Sequence, residues 1–142
     1  MQVCGNGGAP VSIRKISHIG IAVRDLDRQV ALYRDVLGLE LLGFEEIEDQ
    51  QVRVAILRVG ESNIELLEPL SDRSPVAKFL ERRGQGIHHL AYEVDGIEQI
   101  LEGLDSDGVE LIDRSPRDGA HGKRIAFIHP RSTFGVLTEL CE

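Results

Sequence analysis

The chain has 142 residues, 42% of them hydrophobic, enough to bury one continuous core without disulfides or a structural metal. Its formal net charge of −8 excludes nucleic acid as the main partner, because a phosphate backbone selects a basic surface. No stretch reaches the roughly 18–20 consecutive apolar residues of a membrane span. The two cysteines, Cys4 and Cys141, form no C-x-x-C pair, so a reducing compartment is expected, the cytoplasm or, in a eukaryote, the mitochondrial matrix.

Residues 1–12 are Gly-rich, lack the apolar run of a secretory signal and read as a loose leader. Ser17-His18-Ile19-Gly20-Ile21-Ala22-Val23 then alternates in period two, which predicts a strand with unlike faces. Leu26, Val30, Tyr33 and Leu37 follow at helical spacing, with Asp25 as N-cap and Gly38 closing the helix. Strands are predicted over residues 39–42, 54–57 and 64–66. Ser74-Pro75 opens a linking helix over about 74–83, which turns Val76, Phe79 and Leu80 inward.

The order then repeats. His88-His89-Leu90-Ala91-Tyr92-Glu93-Val94 echoes the first strand, and Ile97, Ile100, Leu101 and Leu104 form a helix after Asp95, closed by Gly108. Strands are predicted over 109–112, 125–128 and 138–140. Each half reads β-α-β-β-β, so residues 13–142 form one α+β domain of two tandem βαβββ modules, about 13–70 and 86–142. A module of that size is marginal alone, so the halves share a surface.

Period two also sorts the polar side chains. His18 lies opposite Ile19 and Ile21, and His89 opposite Leu90; Glu65 lies opposite Ile64 and Leu66, and Glu139 opposite Thr138 and Leu140. Singly, each is an ordinary core histidine or solvated strand carboxylate. At matching places in a duplicated module, the four point to one divalent metal ion on His18, Glu65, His89 and Glu139. Two carboxylates cancel its charge, and the imidazoles suit Co²⁺, Ni²⁺, Zn²⁺ or Fe²⁺, with Mn²⁺ tolerated. His88 is expected to point the other way as a structural residue. The Gly-containing segment 114–124 carries Arg114, Arg117, Lys123 and Arg124. It either holds a phosphate-bearing tail through Lys123 and Arg124 or forms a solvated hairpin loop. His129, at the end of a strand, is a further substrate-facing candidate.

From Ile16 to Leu140 the chain resembles the methylmalonyl-CoA epimerases of the vicinal-oxygen-chelate, or glyoxalase-like, superfamily. The stretches that carry the resemblance are His18 to Val23, Ile64-Glu65-Leu66-Leu67-Glu68-Pro69, Ser74 to Leu80, Gly86-Ile87-His88-His89, and His129-Pro130 through Gly135-Val136-Leu137-Thr138-Glu139-Leu140. The resemblance implies a sheet curled around a metal cleft, a homodimer, and metal-ligand roles for His18, Glu65, His89 and Glu139. It implies one divalent ion among Co²⁺, Mn²⁺, Ni²⁺, Zn²⁺ and Mg²⁺, and an acyl-CoA partner, methylmalonyl-CoA or ethylmalonyl-CoA. The implied reaction is epimerisation at C2, for which Glu65 and Glu139 are the expected proton-transfer residues. Some bacterial members carry glutamate where this chain has Val54 and glutamine where it has Glu65. Phe134 stands where a small residue is common. Competing readings are a glyoxalase I-like lyase or another metalloenzyme of the superfamily, and a metal-free small-molecule binding protein of the same fold.

Overall fold

The computed structural model describes residues 12–142; the expected leader lies outside them except for residue 12. Eight strands and three α-helices follow in the order β1 (Ile13–Ala22), α1 (Leu26–Ala31), β2 (Glu40–Ile47), β3 (Val52–Val59), β4 (Ser62–Pro69), α2 (Pro75–Arg83), β5 (Gly86–Val94), α3 (Ile97–Ser106), β6 (Arg117–Asp118), β7 (Arg124–Ile128) and β8 (Thr138–Cys141). All strands join one mixed sheet, ordered β2-β3-β4-β1-β5-β8-β7-β6. β1 runs parallel to β4 and β5 runs parallel to β8, while β1 and β5 meet antiparallel at the middle. The two βαβββ halves are therefore mirrored in strand order about the β1–β5 seam.

Local chemistry sets the helix ends. The Asp25 carboxylate accepts the Arg28 N–H at 3.2 Å, and α1 runs on through a π turn at Leu32–Val36 before Gly38 turns left-handed at φ 77°. The Ser74 hydroxyl accepts the Val76 N–H at 3.2 Å with Pro75 in the first helical position. Asp95 does not cap α3. Gly96 stands at the cap with its N–H donated to the Glu142 carboxylate, and Asp95 pairs with Arg14 at 3.2 Å.

The strand expected at residues 109–112 does not form. Leu111 makes only an isolated bridge to Ile128. The Ile112 and Asp113 N–H groups both donate to the Phe127 carbonyl, and the Asp113 carboxylate takes the Phe127 N–H at 2.9 Å. Those bonds use up the groups a continuing ladder needs, so pairing resumes only at the two residues of β6.

The apolar faces distribute by the alternation of the strands. Ile21, Val23, Ala55, Leu57, Ile64 and Leu66 pack beneath Leu26 and Val30 of α1, and Val94, Ala126, Ile128 and Leu140 pack beneath Ile97 and Leu101 of α3. On the opposite face, Ala22, Val54, Ile56 and Leu67 meet Val76 and Leu80 of α2, while Ile125, Phe127 and Cys141 cluster in the second half. Each fully buried Leu, such as Leu57 or Leu66, contributes roughly 1.5–3 kcal/mol of transfer free energy.

Three irregularities break the β1–β5 ladder, one between Ile13 and Lys15 and two bulges at equivalent places beside the histidines. Ile16 pairs with Tyr92 and His18 with Ala91, leaving Ser17 as the extra residue of β1; Gly20 pairs with His89 and Ile21 with Ile87, leaving His88 as the extra residue of β5. A bulge sends adjacent side chains toward the same side. Ser17 accordingly reaches His18 at 3.0 Å, and the His88 ring lies 3.0 Å from His89 rather than on the opposite face as expected from alternation.

Gly20 faces His89 in this register, and a Cβ there would fall 2.2 Å from the His89 ring. The ring cannot retreat, because Phe127, His18 and His88 surround it. Gly20→Ala is expected to destabilise the fold by about 1–3 kcal/mol in urea denaturation, as overpacking does. An unchanged midpoint would refute the packing of His89 on bare backbone.

Candidate metal centre and active site

Four central strands each deliver one side chain to the face that α1 and α3 leave free: His18 from β1, Glu65 from β4, His89 from β5 and Glu139 from β8. None is more than 6% exposed. His18 Nε2 lies 3.1 Å from His89 Nε2 and 3.0 Å from a Glu139 oxygen, and His89 Nε2 lies 3.7 Å from the other Glu139 oxygen. Glu65 stands at the other edge of the His18 ring, 3.2 Å from Nδ1. The two halves thus interleave as imidazole–carboxylate pairs, with His18 between two acids.

The electrostatics of this cluster are unbalanced. Burial lowers the proton affinity of His18, but the adjoining Glu139 and Glu65 carboxylates outweigh it and leave the affinity raised. Burial pushes Glu65 up to about 7, helped by the Glu139 and Glu45 carboxylates against the pull of His18 and Lys123. His89 is held well below the usual imidazole range, by burial first and then by His18 and His88, and burial takes His88 down to about 4.

Glu139 Oε2 remains buried with no aligned hydrogen bond despite its closeness to His18. Two ring nitrogens 3.1 Å apart share at most one proton, so their lone pairs and an orphan carboxylate oxygen face one point. A cavity of about 30 Å³ adjoins them, room for one water-sized body or ion. Nitrogen and oxygen donors of this kind fit a divalent metal, and the fold family generally binds one.

The remaining expected residues separate. Lys123 lines the cavity beside Glu65 while its ammonium pairs with Glu93 at 3.1 Å. His129 lines a second, larger cavity of about 530 Å³, to which His89 also contributes a wall. Arg124 departs from expectation: it pairs with Glu98 and Glu142 and lines neither cavity. Val54 is fully buried in the wall of the smaller cavity, so that position carries no proton. Glu48 is exposed on a 3-10 turn and does not line the smaller cavity.

Three residues that touch or act on the cluster escaped the sequence reading. Cys141 follows Glu139 by two residues on one strand face, and its thiol lies with the His18 and Glu139 donor atoms inside a 4.8 Å cluster; burial pushes it up to about 11. Period two could have found it. Ser17 arrives through its bulge. Glu45 acts on Glu65 through space and accepts the His121 N–H at 2.9 Å, but an irregularity in the β2–β3 register between Leu41 and Gly43 hides its facing from any alternation rule.

Glu65 gives a pH test on metal-free protein. Its folded value of about 7 lies above the unfolded carboxylate value of 4.5, so the folded state keeps a proton that the unfolded state has released. Stability then falls as pH rises from 4.5 to 7 and the penalty is complete above 7. Glu65→Gln removes it. The variant's stability advantage over the parent is expected to grow across that window and level off on the order of 2 kcal/mol, read from urea midpoints. A constant difference from pH 4.5 to 8 would contradict the burial of an ionisable Glu65.

Residues 17–127 match the Glyoxalase/Bleomycin resistance protein/Dioxygenase superfamily. The mitochondrial methylmalonyl-CoA epimerase of Dictyostelium discoideum is 39% identical over 97% of this chain and 84% of its own length. The ethylmalonyl-CoA/methylmalonyl-CoA epimerase of Cereibacter sphaeroides is 39% identical over 90% of this chain and 97% of its own. A variant of Streptomyces coelicolor methylmalonyl-CoA epimerase, solved in complex with 2-nitronate-propionyl-CoA, superposes with a TM-score of 0.88 at 40% identity, covering 92% of this chain and 94% of that one. A mixed sheet mirrored about one seam, a buried His/Glu cluster and relatives matched nearly end to end agree, and the chain belongs to the methylmalonyl-CoA epimerases of the glyoxalase superfamily.

Proposed function

We propose that this chain interconverts the (2R) and (2S) forms of methylmalonyl-CoA by removing the proton at C2 and returning one to the opposite face. The observation that carries this reading is the placement of two buried carboxylates on opposite edges of one imidazole: Glu65 at 3.2 Å from His18 Nδ1 and Glu139 at 3.0 Å from His18 Nε2. Inversion requires a proton carrier on each side of the carbon, and the duplicated modules supply one apiece. The names of its relatives supply the substrate.

Glu65 suits the task because burial brings its proton affinity near neutrality, where a carboxyl group both takes and gives a proton. Glu139 is the partner from the second half. His18, Glu65, His89 and Glu139 are the proposed holders of one divalent ion, among Co²⁺, Mn²⁺, Ni²⁺, Zn²⁺ and Mg²⁺. What such an ion supplies when bound is Lewis-acid stabilisation of the negative charge that builds on the thioester oxygen as C2 loses its proton. Val54, Ile125 and Leu67 in the cavity wall exclude water from the proton held by Glu65. Lys123, at the same wall, is the proposed counter-charge for the substrate carboxylate, and His129 faces the acyl group from the larger cavity.

A two-carrier reaction leaves a characteristic residue when one carrier is removed. Glu65→Gln and Glu139→Gln should each lose epimerisation by about 100-fold or more. Each should still exchange deuterium from D₂O into one epimer, and the two variants should choose opposite epimers. Undiminished epimerisation in both variants would remove the assignment.

A further inference from the structure

His88 has no part in the proposed proton transfer or metal shell, yet it stands where strand alternation would not put it. The bulge beside Gly20 makes it the extra residue of β5 and turns its ring to His89, with the two Nδ1 atoms 3.0 Å apart. We propose that His88 is a positioning residue: its Nδ1 accepts the proton of His89 Nδ1 and so keeps a lone pair on His89 Nε2, facing the metal-binding cluster. The inference rests on the proposed role of His89 as a metal ligand and adds what prepares it for that role.

Packing fixes the His89 ring but not its proton. The ring is clamped by bare backbone at Gly20, where a Cβ would fall 2.2 Å away, and by the perpendicular rings of Phe127 and His18, at 5.5 and 5.2 Å between centres. The two neutral tautomers of an imidazole have the same shape, so apolar walls cannot choose between them. A polar neighbour must.

The two nitrogens of His89 have different neighbours. Nε2 meets His18 Nε2 at 3.1 Å and a Glu139 oxygen at 3.7 Å. On that side the buried Glu139 Oε2 lacks an aligned hydrogen bond, so no ring N–H is aimed at it. Nδ1 meets His88 alone among the described residues. Two neutral ring nitrogens at that distance hold one proton between them. A proton on His89 Nδ1 therefore requires a lone pair on His88 Nδ1, and His88 then carries its own proton on Nε2. Without that acceptor, an N–H at His89 Nδ1 would be buried and unsatisfied, and the proton would sit better on Nε2, where it blocks the lone pair turned to the cluster.

The first half is built with a reserve that the second lacks. The matching bulge puts the Ser17 hydroxyl 3.0 Å from His18 Nδ1, and a Glu65 oxygen lies 3.2 Å from the same atom. His18 keeps an acceptor if either is lost, whereas His89 depends on one ring. That ring is itself held edge-on by Phe79 of α2, at 5.0 Å between centres, which aims its Nδ1 in one direction.

A ring that served only as a wedge between Phe79 and His89 would rank two variants in the opposite order. His88→Phe keeps the ring and loses Nδ1; His88→Asn loses the ring and carries an oxygen near the place of Nδ1. In equilibrium dialysis of the full chain with Zn²⁺, His88→Phe should bind about 10–100-fold more weakly than the parent, and His88→Asn should recover most of that loss. The inference is overturned if His88→Phe binds Zn²⁺ like the parent, or if His88→Asn binds no better than His88→Phe. The metal-free parent gives a readout that needs no variant: long-range ¹H–¹⁵N correlation spectra should show His89 protonated on Nδ1 and His88 on Nε2. His89 protonated on Nε2 would overturn the inference as well. If the parent shows the expected tautomers and takes up no ion, the hold of His88 on His89 stands and the metal-binding reading fails.

Discussion

The pairing of β1 with β5 is the constraint on which the rest of the molecule depends. Among the described residues it is the only place where the two βαβββ halves exchange a ladder, and it sets His18 and His89, 71 residues apart in sequence, with ring nitrogens 3.1 Å apart. The parallel partners β4 and β8 then follow by the same connection in each half and bring Glu65 and Glu139 to the seam. One antiparallel register therefore decides whether four titratable groups meet. A one-residue slip would turn each histidine toward a helix.

The register is held by devices that also shape the site. Bulges at Ser17 and His88 turn two consecutive side chains inward in each half, at positions that match in the internal repeat. Gly20 leaves room for the His89 ring on bare backbone. The outer faces are anchored by α1 and α3, which bury Leu26, Val30, Ile97 and Leu101 against β3, β4, β7 and β8. Hydrophobic burial on that side offsets what the inner side costs, where two acids and two imidazoles are dehydrated together. The cost is what gives the site its chemistry: Glu65 is held near neutrality, His89 is kept as a neutral donor, and an oxygen of Glu139 is left unmatched.

Much of this was legible in the chain because a strand with two unlike faces writes its orientation into every second residue. His18, Glu65, His89 and Glu139 could be placed on one face from that period, and the repeat made their meeting the natural outcome. What stayed hidden depends on partners rather than on local pattern. Nothing in Ser17 or His88 alone announces a bulge, since the extra residue exists only relative to the facing strand. The apolar run at 109–112 looks like a strand, yet hydrogen bonds from Ile112 and Asp113 to Phe127 and back consume its ladder. The basic segment 114–124 drew attention by density, whereas density does not reveal which cations the fold will neutralise. Arg124 is spent on Glu98 and Glu142.

The central claim is that both halves serve a single shared cation, and the most direct measurement is titration of metal-stripped chain with Co²⁺, following bound metal by equilibrium dialysis. Saturation is expected at one ion per chain. His18→Ala, from the first half, and His89→Ala, from the second, should each abolish that one site. Saturation at two ions per chain, or a full ion retained after either substitution, would show that the halves do not converge on a common centre.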